Sequence, residues 1–157
     1  MQILDTWREH VIAFVRAAVG LLFVCHGAAS LFGVLGGSYP SGGAVPAGTW
    51  PGWYAAVIQL VAGGLVMVGL FTRWAALLCS GSMAYAYFVE HQKDALFPIQ
   101  NGGEAAAMFS LAFLVIAFVG AGSLALDTLL ERRRGGAVTG RPIDVRESRS
   151  RSVGATR

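Results

Sequence analysis

The apolar residues of this chain are gathered into four long runs, and this clustering limits it to very few kinds of fold. An α-helix of about 20 apolar residues crosses the hydrocarbon core of a bilayer, which is roughly 30 Å thick. Only 13% of the 157 residues are charged, whereas about 25% is usual in a soluble domain. The sequence therefore predicts an all-α membrane protein, a four-transmembrane-helix antiparallel bundle in a lipid bilayer, with spans at residues 11–35, 53–71, 74–88 and 104–126.

The same pattern divides the chain into three segments. We expect residues 1–10 to form a polar N-terminus, residues 11–130 to form the four-helix domain, and residues 131–157 to form a disordered tail. The tail prediction rests on its many arginines and on its lack of apolar periodicity. Small residues at 27–29 leave a cleaved signal peptide as an alternative for the first run. A span is favoured because the run continues past them and its leader is not net basic.

The positively charged residues predict the orientation of the bundle. Arg8, Arg16, Arg73 and the arginines at 132–134 fall on one side of a four-span arrangement, and only Lys93 falls on the other. Cytoplasmic segments of membrane proteins carry an excess of Lys and Arg. Both termini are therefore predicted to be cytoplasmic, in a multi-pass protein.

A turn before the last run brings a carboxylate to one end of the apolar bundle. Pro98 resists helix continuation, and Gly102 and Gly103 allow the backbone to turn. Asn101 then suits the cap of the following helix, with Glu104 three residues on as in a capping box. Glu104 has two interpretations, a cap at a wet interface or a member of a polar pocket.

Polar residues in the outer half of the bundle predict such a pocket. On a helix with 100° per residue, His26 shares a face with Phe23, Gly27 and Ser30, and Gln59 lies at a similar depth in the second span. A histidine inside a membrane is a functional candidate. The alternative is a neutral His26 that only joins helices through a hydrogen bond. The candidate pocket consists of His26, Gln59, Tyr85, Tyr87, Glu90 and Glu104.

At the inner end, Arg16 and Asp127 are expected at similar depth. Arg16 lies near the inner end of the first run, and Asp127 follows the fourth. An ion pair between the two is one interpretation. The other is that Arg16 extends alone to the cytoplasmic surface.

Several kinds of site are not indicated by the sequence. No second ligand lies one helical turn from His26, so no metal site is expected. Cys25 and Cys79 are expected at different depths and therefore unbridged, since bridged cysteines have Cα atoms within about 7 Å. The chain has no phosphate-binding loop, nucleophile elbow or other self-contained catalytic motif, so enzyme activity stays open. A nucleic-acid partner is not expected.

Four stretches of the sequence, taken in order and spacing, resemble parts of a known family. They are Arg16-x3-Gly20-Leu21-x-Phe23-x2-His26-Gly27-x3-Leu31-Phe32, Gly63-Gly64-x4-Gly69-Leu70-Phe71-Thr72-Arg73, Pro98-x2-Asn101-Gly102-Gly103-Glu104 and Gly120-x-Gly122-Ser123-Leu124-x-Leu126-Asp127. They resemble the first helix, the second helix with its turn, and the start and end of the fourth helix of the DoxX family. The chain has Gln59 where members often carry an acid and Ser30 where they often carry a lysine, which weakens a proton-linked role for the pocket.

The resemblance implies a small four-helix protein of the bacterial plasma (inner) membrane. Similar proteins are linked to quinone-coupled oxidation of sulfur compounds and to complexes that handle thiol or oxidative stress. Because the sequence has no redox-active cysteine pair and no haem-ligand pair, electron transfer would need a quinone or a partner subunit. The first hypothesis is therefore a membrane subunit of a redox system, with redox or sulfur-metabolism proteins as partners. The second is a non-catalytic anchor that recruits soluble proteins through its tail, and the third is a small transporter.

Overall fold

The computed structural model describes residues 2–38 and 42–130, with side chains from Trp7 onward. Apart from one isolated bridge between Ser38 and Gly43, the ordered elements in these ranges are all helical. The all-α class is therefore confirmed for the described residues, and the predicted tail at 131–157 lies outside them. The helices are α1 (Gln2–Phe32), α2 (Gly52–Val68), α3 (Thr72–Tyr85), the short α4 (Pro98–Asn101) and α5 (Glu104–Val119).

Several helix ends differ from the predicted spans. α1 already begins at Gln2, so most of the segment expected as a polar N-terminus is helical. α3 continues into a π-helical turn at Ala86–His91, which extends it past residue 88. α5 ends at Val119 rather than at residue 126 because Gly120 and Gly122 have φ of 97° and 73°. These left-handed values suit glycine and cannot continue a right-handed helix.

One helix in the described ranges is both long and apolar enough to cross a membrane. It is the 26-residue part of α1 from Trp7 to Phe32, which contains an 18-residue window of mean hydropathy 2.0. α2 and α5 are shorter apolar helices of 17 and 16 residues. At 1.5 Å per residue each of these two is roughly 25 Å long, somewhat less than a hydrocarbon core.

The helices pack as two antiparallel pairs, α1 with α2 and α3 with α5. In the first pair, Gly20 and Gly27 let two backbones meet. A Cβ atom on Gly20 would lie 2.7 Å from the backbone nitrogen of Met67, and one on Gly27 would lie 2.6 Å from that of Leu60. In the second pair, the Ser80 hydroxyl donates to the carbonyl oxygen of Ser110 at 2.9 Å. Small residues at such crossings are typical of helix packing in membranes.

The two pairs meet in a core of aromatic and small side chains. Phe23 of α1 is fully buried, and its ring centroid lies 4.7 Å from that of Phe113 of α5, which is also fully buried. Edge-to-face aromatic pairs of this kind add to the energy of burial. Ala62 and Val66 of α2 complete this core, with Cys79 of α3 packed among them.

Large apolar side chains cover the outside of the bundle as well. Phe14 of α1, Val61 of α2, Trp74 of α3 and Phe118 of α5 are all exposed, Trp74 to 76%. Soluble monomers rarely present contiguous apolar patches larger than a few hundred Å². An outer surface that is apolar on all the long helices needs an apolar solvent, such as lipid.

The close approach of α1 and α2 makes one substitution informative. We expect Gly20→Ala to lower the free energy of unfolding by about 1–3 kcal/mol, as over-packed sites do, because its Cβ would meet the Met67 backbone. Gly81→Ala in α3 is the matched control, since nothing lies within 4 Å of its added Cβ. That variant should be neutral or slightly stabilising because alanine has the higher helix propensity. Thermal unfolding in detergent measures both, and equal melting temperatures would contradict the close packing at Gly20.

Candidate functional site

A buried arginine organises the end of the bundle where α2 turns into α3, which is the end predicted to be the inner one. Arg16 of α1 is only 2% exposed. Its Nη1 donates to the carbonyl oxygens of Val66 and Met67 in the last turn of α2, its Nε to Ala121 and its Nη2 to Leu124, at 2.5–2.8 Å. The last carbonyls of a helix have no partner within the helix. Arg16 therefore satisfies the end of α2 and the segment after α5 at the same time.

Asp127 lies beside this cluster but bonds to α3. Its carboxylate accepts hydrogen bonds from the backbone N–H groups of Phe71 and Thr72 and from the Thr72 hydroxyl, at 2.9–3.0 Å. Burial raises the pKa of Asp127, but these hydrogen bonds and the Arg16 charge outweigh it and hold that pKa below its ordinary value. Asp127 thus caps the start of α3.

The predicted ion pair between Arg16 and Asp127 is not formed as a direct contact. Within the described ranges, the salt bridge at the surface joins Lys93 to Glu90, and none joins Arg16 to an acid. Arg16 instead donates its hydrogen bonds to carbonyl oxygens, and Asp127 accepts its hydrogen bonds from the start of α3. The two interact through their charges at the same end of the bundle. The alternative of an arginine extended to the surface also does not hold, because Arg16 is buried.

The outer end does not gather the predicted pocket into one place. His26 is exposed on α1, and its ring packs edge-on against Phe109 with centroids 5.5 Å apart. It lines an open groove of about 320 Å³ together with Cys25, Ser30 and Ser38. The backbone of Gln59 in α2 packs against Gly27 of α1. The side-chain Oε1 atom of Gln59 is buried without a hydrogen-bond partner among the described residues. No hydrogen bond between His26 and Gln59 occurs in that part of the chain.

Two further predicted members of the pocket are Tyr87 and Glu104. The Tyr87 hydroxyl donates to the carbonyl oxygen of Leu96, which ties the π-helical turn to the following loop. Glu104 is exposed at the first turn of α5, where a carboxylate suits the positive end of the helix dipole. The capping residue is Gly103 and not Asn101.

Asn101 holds the turn before α5 together. Its buried side chain accepts from the Gly103 N–H and donates to the carbonyl oxygen of Ala95, both at 2.8 Å. A Cβ on Gly103 would lie 2.9 Å from the Tyr87 ring, so only glycine fits there. Neither Glu104 nor Gln59 lines the groove beside His26.

Tyr85 and Glu90 do share a cavity, which lies between α2 and α3. It measures about 260 Å³ and is open to the outside of the bundle. Trp50 forms one wall, with its ring centroid 5.6 Å from that of Tyr54 and 5.9 Å from that of Tyr85. The other lining residues are Pro51, Gly52, Ala55, Ile58, Leu78, Ser82 and Ala86. We refer to it as the aromatic cavity.

Sequence reasoning missed Trp50 and Tyr54 as parts of a site. Together with Trp53 they have the composition of an interfacial aromatic belt, which is the usual role of such residues in membrane proteins. A second signal was present, since Ser82, Tyr85 and Ala86 recur at helical spacing on one face of α3. A face of small and phenolic residues opposite an aromatic cluster is typical of a cavity wall.

The described residues contain no cluster suited to a metal or a disulfide. No group of three or more His, Cys, Asp or Glu side chains lies together in those ranges. Cys25 and Cys79 are both free thiols, half-buried on α1 and buried on α3.

Comparison with known proteins identifies the family. The DoxX family model matches residues 11–92, just over half of the chain. A protein of Haemophilus influenzae, described as uncharacterised, is 41% identical over an alignment of 133 residues that covers 81% of this chain and 96% of that protein. The chain belongs to the DoxX family. No solved structure matches it.

Membership of the DoxX family confirms the resemblance seen in the sequence and makes the chain a membrane protein. The matched range runs from α1 to the end of the π-helical turn and so includes Arg16, His26 and every residue of the aromatic cavity. α5 and Asp127 lie beyond it. The DoxX match thus covers one of the two partners that hold the inner end.

The hydrogen bonds of Asp127 predict a dependence of stability on pH. Asp127→Asn should lower the free energy of unfolding at pH 7 by about 1 kcal/mol, as loss of a helix cap does. Because the folded-state pKa of Asp127 is lower than the unfolded value of about 3.9, its contribution is fully present above that value. It is lost as the pH falls through the folded-state pKa.

Urea or thermal unfolding in detergent from pH 7 to pH 3 measures this effect. The difference between wild type and Asp127→Asn should be constant near neutral pH and shrink at acidic pH. Asp94→Asn is the control, because Asp94 is exposed and its carboxylate has no hydrogen bond among the described residues. A difference that stays constant down to pH 3 would show that the carboxylate does not cap α3.

Proposed function

We propose that this DoxX protein is a four-span integral protein of the bacterial plasma membrane that binds a quinone-like lipid. It would serve as a membrane subunit of a quinone- or thiol-linked redox system. The observation that supports this function best is the aromatic cavity, because it continues into an apolar groove between α2 and α3. A ring with a few polar atoms and a long apolar tail is the ligand shape that suits such a space.

The residues of the aromatic cavity fit the ring of a quinone. Trp50, Tyr54 and Tyr85 provide aromatic faces and edges against which a flat ring packs. The two carbonyl oxygens of a quinone accept hydrogen bonds. Tyr54, Tyr85 and Ser82 each bring a hydroxyl that donates them. Ligand sites generally combine such an apolar lining with a small number of polar groups.

A second space fits the apolar tail. It measures about 440 Å³ and runs along α2 and α3 toward the inner end, lined by side chains such as Val61 and Leu65. Ile58 and Leu78 line both this groove and the aromatic cavity, so the two spaces adjoin. The lining of the groove is apolar, and an isoprenoid tail would lie there in contact with both protein and lipid.

The proposal assigns the binding step to this chain and the supply of electrons to a partner protein. Reduction of a quinone to a quinol takes two electrons and two protons. Neither Cys25 nor Cys79 lines the aromatic cavity. Glu90 does line it, where its carboxylate accepts a hydrogen bond from Lys93 at 3.1 Å. The chain would hold and orient the ring, and an associated dehydrogenase would reduce or oxidise it.

The charge distribution supports four spans with both termini in the cytoplasm. Arg8, Arg16 and Arg73 lie at one end of the bundle and Lys93 at the other. By the positive-inside rule, the end with the arginines faces the cytoplasm. The exposed apolar side chains on α1, α2, α3 and α5 then face the lipid.

Quinone binding is tested by removing one hydroxyl from the aromatic cavity. Tyr85→Phe should weaken the affinity of the purified protein for a short-chain ubiquinone by up to about ten-fold, the range expected for one neutral hydrogen bond. Tyr87→Phe is the matched control. It loses a hydroxyl that bonds to Leu96 outside the cavity and should bind as wild type does. Quenching of tryptophan fluorescence measures the affinity.

A steric variant makes the test independent of that hydrogen bond. Ala55 lines the aromatic cavity, so Ala55→Phe should fill it and abolish saturable quinone binding. Ala105→Phe places the same side chain at an exposed position of α5 and should leave binding unchanged. Melting curves of all four variants show that folding is intact. If Ala55→Phe binds as wild type does, the site is not in this cavity and a non-catalytic anchor becomes the better function.

The orientation is tested with single cysteines at opposite ends of the bundle. Asp94→Cys should react in intact cells with a maleimide that does not cross membranes, because we place Asp94 on the outer side. Arg8→Cys should react only after the cells are opened. The native Cys25 is replaced by serine in both, and the parent without an added cysteine gives the background. The reverse labelling pattern would refute the proposed topology.

A further inference from the structure

We propose that the inner end of this protein carries a specific site for an anionic phospholipid, built around Arg73 and the groove between α3 and α5. The lipid phosphate would lie at the Arg73 guanidinium, and one acyl chain would follow the groove. This site is separate from the aromatic cavity, which lies at the other end of α3. It does not depend on whether a quinone binds.

Arg73 keeps unused hydrogen-bond donors. Its Nη1 donates to the carbonyl oxygens of Ala117 and Phe118 at 3.2 and 3.3 Å, which are long bonds. Nε and Nη2 have no partner in the described part of the chain. A guanidinium has five N–H groups in a planar fork that matches the oxygens of a phosphate. Two adjacent nitrogens therefore remain for a phosphate group.

The charges around Arg73 favour an anion there. No acid lies within salt-bridge distance of Arg73 among the described residues. Asp127 lines the same space, but its two oxygens are held by Phe71 and Thr72 and its charge is compensated by Arg16. With that pair compensated, Arg73 is the cation that remains among the described residues lining the cavity.

The space beside Arg73 has the shape of a lipid headgroup site. A cavity of about 470 Å³ opens between the start of α3 and the turn after α5, and both Arg73 and Gly120 line it. A Cβ on Gly120 would lie 3.2 Å from Arg73 Nη2, so glycine gives the guanidinium room there. Polar atoms make up much of its lining, including the hydroxyls of Thr72 and Thr128.

An apolar groove begins where this cavity ends. It measures about 290 Å³, runs between α3 and α5, and is lined by Leu77, Ala117 and Phe118. Arg73 and Trp74 line both spaces, so the two adjoin. Trp74 is 76% exposed, and tryptophan at the level of lipid headgroups is a common anchor. A cation next to an apolar groove identifies a phospholipid, because a free phosphate would use only the cavity.

The test compares lipids by native mass spectrometry of the detergent-purified protein. Wild type should bind phosphatidylglycerol about five-fold more tightly than phosphatidylcholine of the same chain length, the gain expected from one arginine near anionic lipid. Arg73→Gln should abolish that preference, and Arg73→Lys should retain most of it by keeping the charge. Arg8→Gln removes an exposed arginine at the same end of the bundle and should leave the preference unchanged.

Three outcomes would overturn the proposal. The first is equal binding of both lipids by wild type, and the second is an unchanged preference in Arg73→Gln. The third is displacement of phosphatidylglycerol by millimolar inorganic phosphate, which would identify a free-anion site. Melting curves show that Arg73→Gln is folded. Rescue by Arg73→Lys separates loss of charge from loss of the bonds to Ala117 and Phe118.

Discussion

The hydrogen bonds of Arg16 are the interaction on which the rest of this structure depends. A buried guanidinium is costly unless its donors are satisfied, and Arg16 satisfies four bonds with carbonyl oxygens from two separate segments. Those oxygens belong to the end of α2 and to the turn after α5, so one side chain of α1 fixes the depth of both. Because water is absent from a bilayer core, such carbonyls have few other partners there. The positions of Asp127 and of the start of α3 follow from this arrangement.

The two ends of the bundle are therefore built differently, and this difference places the candidate sites. At the inner end, a three-residue turn from Gly69 to Phe71 joins α2 to α3, and Asp127 caps the start of α3. At the outer end, the same two helices are separated by a cavity whose walls are the rings of Trp50, Tyr54 and Tyr85. The contacts of the Trp50 ring with Tyr54 and Tyr85 form the wall of the cavity but do not fill the space between the two helices. The aromatic cavity between α2 and α3 thus lies at the end that lacks the hydrogen bonds of Arg16 and Asp127.

The sequence predicted the helices better than it predicted which side chains meet. Apolar runs marked all the long helices, since their length and composition are local properties. The end of α5 was placed too late because leucines continue after Gly120, where the backbone turns. The pocket failed for another reason. His26 lies 60° around the helix from Phe23, and the rotation of α1 is set by the contact of Gly20 and Gly27 with α2. That rotation buries Phe23 and exposes His26. The sequence pattern of α1 alone does not predict the rotation, because it depends on the contact with α2.

The two arginines at the inner end show how donor counting separates a structural role from a ligand role. Arg16 uses four of its five N–H groups on the protein, at 2.5–2.8 Å, and is buried. Among the described residues, Arg73 bonds only through Nη1, at 3.2–3.3 Å, and it is exposed. The sequence does not reveal which donors are used: Arg16 lies near the start of the first apolar run and Arg73 lies between the second and third. The difference comes from what surrounds them: the last carbonyl oxygens of α2 face Arg16, whereas Gly120 leaves open space beside Arg73. In a membrane, lipid phosphate is the abundant anion closest to an arginine that has open space and free donors. This supports the lipid site proposed at Arg73.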